Sequence, residues 1–293
     1  MSDTERETAA ARAFSEEEFR DYLGQLFQLA VDADDLLSGG GKTIAAAGSN
    51  EFPFKSVWDL KTPATIHYHA ALELVREPLL ASAANLMVRA LLETYAHLVW
   101  IWLGEPVSNR AQPGGSCLGD DSVAGCTAHR RGVCIAFGVA KQFIDNISKV
   151  GPNLVPDGTP ATVQARLDAL QTLHSGLGCA GTGRGYRDVR PTLAMLKGRG
   201  HVPWAHDLWV GSSAVAHGLM PDQYWSAATG TMLKGGPAEP QTRIELSMWV
   251  TRIYFNLIYC CMGTMAPEKQ VDLKKAVQAV LAGGDRFDWT DGT

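Results

Sequence analysis

Cysteine is scarce in this chain, six residues in 293. That excludes a disulfide-stapled scaffold, and a chain of this length buries a substantial core without staples. No run of 18 residues is free of charge, which excludes a transmembrane helix and makes a membrane partner unexpected. The most apolar stretch, Ala83 to Leu103, still carries Arg89, Glu93 and His97, so it reads as a buried core helix. The opening MSDTERETAAARAFSEEEF has neither a basic leader nor an apolar segment. No secretory signal is therefore expected, and the expected compartment is the cytoplasm, where thiols stay reduced or bind metal. The motifs H-E-x-x-H and G-x-S-x-G are absent, as is a G-x-G-x-x-G after a strand, which removes the common zinc-protease, hydrolase and dinucleotide signatures. Glu93 and His97 are one residue too far apart for the Glu-x-x-His pair of di-iron bundles. Strand-like alternation never lasts more than a few residues, and no solenoid-type repeat is present.

What is present is a globular balance, 46% apolar and 19% charged residues. The net charge of -5 argues against a chain that binds nucleic acid over its whole surface. Ten acids and three arginines fall within residues 1–40, a net -7, so the remainder is near +2. A local basic patch is compatible with that remainder.

The helical pattern starts with a capping box, Ser15-x-x-Glu18, with Phe14 and Phe19 placed as a hydrophobic staple. Phe19, Leu23, Leu26, Phe27 and Ala30 follow at helical spacing, predicting a helix over about 16–37, ended by Gly39, Gly40 and Gly41. Residues 39–62 read as a loop. Pro63 to Leu103 reads as two helices, or one kinked at Pro78. Further helices are expected over about 127–150, from Thr159-Pro160 to Gly176, over 203–217 and over 242–265, with 229–240 as a loop between the last two. The stripe of the Thr159 helix is Val163, Leu167, Leu170 and Leu173. A final helix starts at Pro267, with Val271, Val277, Val280 and Leu281 inward. The expected fold class is all-α, a multi-helix bundle with long loops. Residues 1–60 form an acidic N-terminal helix and linker, and 61–293 form a helical domain with a Cys-containing loop near 105–134.

Asn85, Arg89, Glu93 and His97 are spaced four apart, so they share one face of an otherwise apolar helix. A buried charge needs a partner or it costs several kcal/mol, so the stripe requires polar groups from another helix or a wet pocket. An Arg89–Glu93 pair that merely fixes packing is the competing reading. The best partner segment is Asp207 to Gly218, where Ser213 and His217 share a face. His217 stands just before a helix-ending glycine, at the negative end of the helix dipole, which favours its charged form.

The helix VRALLETYAHLVWIW, followed downstream by RPTLAMLKGRG and then HDLWVGSSAVAHG, resembles a large group of bacterial helical proteins. These are similar to the HEPN superfamily (higher eukaryotes and prokaryotes nucleotide-binding helical domains). The resemblance covers about residues 60–265 and rests on the Arg-x-x-x-Glu helix and the Ser-rich helix ending in His-Gly. It implies a helical bundle, often dimeric. In active members it also implies metal-independent RNA cleavage in toxin or phage-defence settings. The matching positions are Arg89, Glu93, Ser213 and His217. Active members usually carry the Arg just ahead of the His on one helix. Here Gly211 to Ala216 contain none, so Arg89 would supply the guanidinium from another helix. A His can take the proton of a ribose 2′-OH and an Arg can hold the phosphate bidentately.

Two further groups carry candidate chemistry. Residues 184–201 contain Arg184, Arg187, Arg190, Lys197 and Arg199 against Asp188, after a run with Gly176, Gly178, Gly181 and Gly183. Such a cationic loop suits a phosphate or an RNA backbone, with a plain solvated loop as the alternative. Cys117-x8-Cys126-x2-His129-x4-Cys134 places four soft ligands within eighteen residues. A structural zinc accepts a Cys₃His set, with unrelated thiols as the alternative. Cys179, Cys260 and Cys261 look structural.

Two functional expectations follow. One is an RNA- or nucleotide-directed homo-oligomer whose polar pocket is built from Arg89, Glu93, His97, Ser213 and His217, with cleavage by His217 if it is an enzyme. The other is a non-catalytic helical interaction or ligand-sensing module, with Trp100, Trp102, Trp204, Trp209 and Trp249 serving core packing or a dimer interface.

Overall fold

The computed structural model describes residues 15–47, 52, 54–103, 128–149, 158–176, 189, 193, 205–216, 223–226, 231–234 and 240–282. Among them are nine α-helices: α1 (Glu16–Leu36), α2 (Gly40–Ala47), α3 (Phe54–Arg76), α4 (Ala84–Leu103), α5 (Ala128–Ile147), α6 (Thr159–Gly176), α7 (Ala205–Ala216), α8 (Pro240–Met265) and α9 (Gln270–Ala282). Single 3₁₀ turns at Ala81–Ala83 and Pro267–Lys269 precede α4 and α9. The packed structure is all-α. The one departure among the described residues is a short antiparallel hairpin, β1 (Gln223–Ser226) with β2 (Thr231–Lys234), in register Gln223↔Lys234 to Ser226↔Thr231. Two four-residue strands are too short for alternation to show, which is why residues 229–240 read as loop. No helix among the described residues is long and apolar enough to cross a membrane.

The sequence-derived helix starts hold where a cap is chemically explicit. Ser15 Oγ accepts from the Glu18 amide at 3.1 Å, and Glu18 Oε2 accepts from the Ser15 amide at 2.9 Å. Both arms of the box are therefore made. Elsewhere the punctuation misled. Residues 39–62, read as a loop, hold α2 and the start of α3. The triglycine ends α1 but also opens α2, and Pro63 lies inside α3 rather than at its start. Buried Val57, Leu60, Ala64, Tyr68, Ala71, Leu72 and Val75 repeat every three or four residues through that proline. Burial along one face therefore outweighs the lost backbone donor. At Pro78 the rule works: α3 stops at Arg76, because the residue before a proline is disfavoured in helix.

The chain divides into two compact units. The first comprises Met1–Gly40, Lys61–Tyr95 and Leu196–Thr293, and the second Gly41–Leu60 and Ala96–Met195. In the first, α1 packs on α8 and α9. Its core includes Phe19, Leu23, Leu26 and Ala30 of α1, and Val250, Ile253, Tyr254 and Leu257 of α8. Tyr68 stacks on Tyr254 at 4.1 Å, with their rings 7° apart. Each hydroxyl then meets a threonine at 3.2 Å: Tyr68 with Thr251, and Tyr254 with Thr65. In α9 the inward residues are Leu273 and Val277. Val271 faces water at 60% exposure, because two residues along a helix turn a side chain to the far side.

The second unit is built on the α5–α6 pair. Phe52, Val133, Ala136, Phe137, Ala140, Leu167 and Leu170 form its core. Leu173, expected on the α6 stripe, is 38% exposed, and its neighbour His174 is buried instead, with its ring stacked on Phe137 at 4.9 Å.

Candidate anion-binding site

Helix α4 buries Val88, Leu91, Leu92, Tyr95 and Ala96 and leaves Arg89 and Glu93 half-buried, their side chains 27% and 34% exposed. Four residues apart on one helix, the two meet as the spacing requires: Arg89 Nε donates to Glu93 Oε1 at 2.9 Å. A second helix then closes on the pair. Trp209 of α7 donates its indole N–H to the same Glu93 oxygen at 3.1 Å. Its ring lies under the guanidinium, with Arg89 Cζ 5.6 Å from the ring centroid, within cation–π range. One carboxylate oxygen thus accepts two N–H donors, and the guanidinium is oriented by a hydrogen bond on one edge and a ring on one face.

The other edge of Arg89 is uncommitted. Its two Nη amino groups make no hydrogen bond among the described residues. A guanidinium offers five donors in a rigid fork matched to phosphate and carboxylate oxygens. Here one donor is used internally, and the rest of the fork has no partner among the described residues. Glu93 offsets the positive charge, so recognition of an anion would rest on aimed donors more than on net charge.

The remaining candidate residues fall in different places. Ser213 lies on α7, half-buried, but its hydroxyl donates to the Trp209 carbonyl at 2.7 Å, one turn back on its own helix. Its neighbour Ser212 is 2% exposed, and its hydroxyl has no hydrogen-bond partner. Asn85, first in the stripe, is buried and donates to the Ser82 carbonyl at 3.0 Å, tying down the turn before α4. His97 is half-buried one turn beyond Glu93, in the part of α4 that belongs to the second unit. His217, Arg184, Arg187 and Arg190 lie outside the described residues, as do Cys117 and Cys126. His129 and Cys134 both lie on α5. Five residues apart, they point about 140° away from each other around the helix axis. His129 Nδ1 is 2.9 Å from the Phe52 carbonyl, and Cys134 is buried. Among the described residues no three His, Cys, Asp or Glu side chains are grouped to hold a metal ion. Burial pushes the Cys260 thiol up to about 11, and Cys261 upward as well. Both stay protonated near neutrality and are poor nucleophiles.

Asp207 to Gly218 was the segment expected to face the stripe, and α7 does so. The contact is made by Trp209, which the sequence reading assigned to packing. The signal that could have found it is the spacing. Trp209 precedes Ser213 by one turn, and an indole N–H is a donor that must find an acceptor when buried. Comparisons with protein-family models, with curated proteins and with solved structures give no match.

Proposed function

We propose that the protein binds a phosphate-bearing ligand, RNA or a nucleotide, through the outer edge of Arg89, in the manner of a HEPN-like helical protein. The observation that carries this reading is the pre-set guanidinium. It is held by Glu93 and backed by Trp209, with its two Nη groups unpartnered among the described residues. A donor whose orientation is already fixed loses little rotamer freedom on binding. In this reading Arg89 clamps a non-bridging phosphate oxygen, and Glu93 and Trp209 position Arg89. The basic residues Arg184, Arg187 and Arg190 add sequence-independent contacts to the backbone. If the ligand is cleaved, His217 takes the proton from the ribose 2′-OH, and the 2′-oxygen bonds to the adjacent phosphorus as its bond to the 5′-oxygen breaks. A proton goes to the departing 5′-oxygen to leave a 2′,3′-cyclic phosphate, and Arg89 offsets the charge developing on the phosphate. The arrangement needs no metal, and a homodimer is the expected assembly.

A second reading has a specific observation behind it. Glu93 is already satisfied by two donors and Ser213 by its own helix, which is also how a purely structural network looks. Arg89→Ala and His217→Ala separate the two readings. Loss of RNA cleavage or binding with an unchanged thermal midpoint supports the phosphate site. Unfolding of both variants supports a structural network in a non-catalytic interaction module.

A further inference from the structure

In the first unit a set of charged side chains that does not include Arg89 lines an open depression. A depression of about 340 Å³ lies between α1 and the last turn of α3, with a floor of Leu23, Gly24 and Phe27. Arg20 rims it on the α1 side, and Glu73 and Glu77 rim it on the α3 side, with Arg76 between them. Positions 20, 23, 24 and 27 form one stripe of α1 by helical spacing, 73 and 76 share a face of α3, and Glu77 follows directly after its last residue.

Gly24 has no explanation within the fold. Glycine is the least favourable helix-interior residue after proline, and a Cβ at Gly24 would meet nothing within 4 Å. Neither packing nor a close backbone contact calls for it. It leaves open space in the lining of the depression. Arg20 is also under-engaged. Its nearest acid, Glu16, is 3.7 Å away and gives both carboxylate oxygens to Arg243. On the opposite rim Arg76 approaches Glu73 at 3.2 Å and Glu77 at 4.0 Å, so one guanidinium faces two carboxylates and that edge is net negative.

We infer that this depression binds a small zwitterion with an apolar side chain, of the α-amino-acid class. The carboxylate meets Arg20, the ammonium meets Glu73 and Glu77, and the apolar side chain lies across Gly24 against Phe27. The volume is at the small end of ligand pockets, which suits a ligand of this size.

Calorimetric titration of the full chain with L-phenylalanine, L-phenylalanine amide and 3-phenylpropionate tests it. Expected is saturable binding of L-phenylalanine, with at least about tenfold weaker binding of each analogue, since each lacks one of the two charges. Gly24→Leu fills the floor with a good helix former and should abolish binding while keeping or raising the thermal midpoint. Arg20→Gln should weaken the acid-bearing ligands and leave the amide unaffected. The absence of saturable binding of L-phenylalanine up to about 10 mM, equal affinity for all three compounds, or unchanged binding to Gly24→Leu would each overturn the inference. None of these outcomes depends on Arg89.

Discussion

Two arginines of the first unit are built from the same parts and end in opposite states. Arg243 of α8 and Arg89 of α4 each pair with a glutamate and each lie over an aromatic ring, Phe19 at 4.6 Å and Trp209 at 5.6 Å. Arg243 is 1% exposed and spends its fork inside the fold. Nε donates to the Val75 carbonyl at 2.8 Å, Nη1 and Nη2 bind Glu16 bidentately at 2.7 and 3.0 Å, and Nη2 also reaches the Arg76 carbonyl. It joins the helix-end carbonyls of α3, which have no intrahelical donor, to the first turn of α1, where an acid is also favoured by the helix dipole. Among the described residues Arg89 spends one donor and keeps the rest. A guanidinium that spends four of its five donors inside the fold holds helices together. One that is oriented and has uncommitted donors among the described residues is what the proposed phosphate site requires.

That contrast predicts different responses to the same substitution. The largest effect belongs to Arg243→Ala. It strands two carbonyls and the Glu16 carboxylate, and should cost about 3 kcal/mol or more, read as a fall in the denaturant midpoint. Arg89→Ala should change stability by less than about 1 kcal/mol, because the pair is part-exposed, yet weaken RNA binding at least about tenfold in fluorescence anisotropy. If Arg89→Ala proves as destabilising as Arg243→Ala, the distinction collapses. Trp209→Phe keeps a ring under the guanidinium and removes the N–H. It should loosen Arg89 and weaken binding by about threefold to fivefold, with little change in stability.

The smallest predicted effect is a pH slope in the first unit. Burial holds His67 and His69 below their ordinary 6.5, although Asp34 pulls His69 partly back. His67 Nδ1 and His69 Nε2 have no hydrogen-bond partner. The unfolded chain therefore takes up protons first, and stability falls as pH drops below about 6.5. Glu16 behaves differently, because the Arg243 hydrogen bond lowers its pKa. Its contribution is present above the unfolded value and is lost as pH falls through the folded one. Urea melts between about pH 7.5 and 5.5 should show the histidine slope, and the His67→Gln/His69→Gln double variant should flatten it.

How much of this could be read beforehand depends on how local each signal is. The start of α1 was legible because Ser15 and Glu18 are three residues apart and satisfy each other. The Arg89–Glu93 contact was legible because four-residue spacing on a helix enforces it. The passage of α3 through Pro63 was not, since a proline is visible in the sequence whereas the burial that overrides it depends on residues distant in the chain. Neither was Trp209, whose role depends on α7 meeting α4 across 116 residues. Arg243, which makes four hydrogen bonds among the described residues, went unnoticed for the same reason. Its partners Glu16, Val75 and Arg76 come from two other helices, and no local pattern announces them.

The most direct test of the Arg89 site uses Arg89→Lys, which keeps the charge and removes the fork. Anisotropy titrations of a labelled single-stranded RNA at one fixed salt concentration should show the lysine variant binding at least about fivefold more weakly than the parent, because a point charge cannot replace aimed donors. Equal affinity would mean that any cation serves there, and that the orientation imposed by Glu93 and Trp209 plays no part in binding.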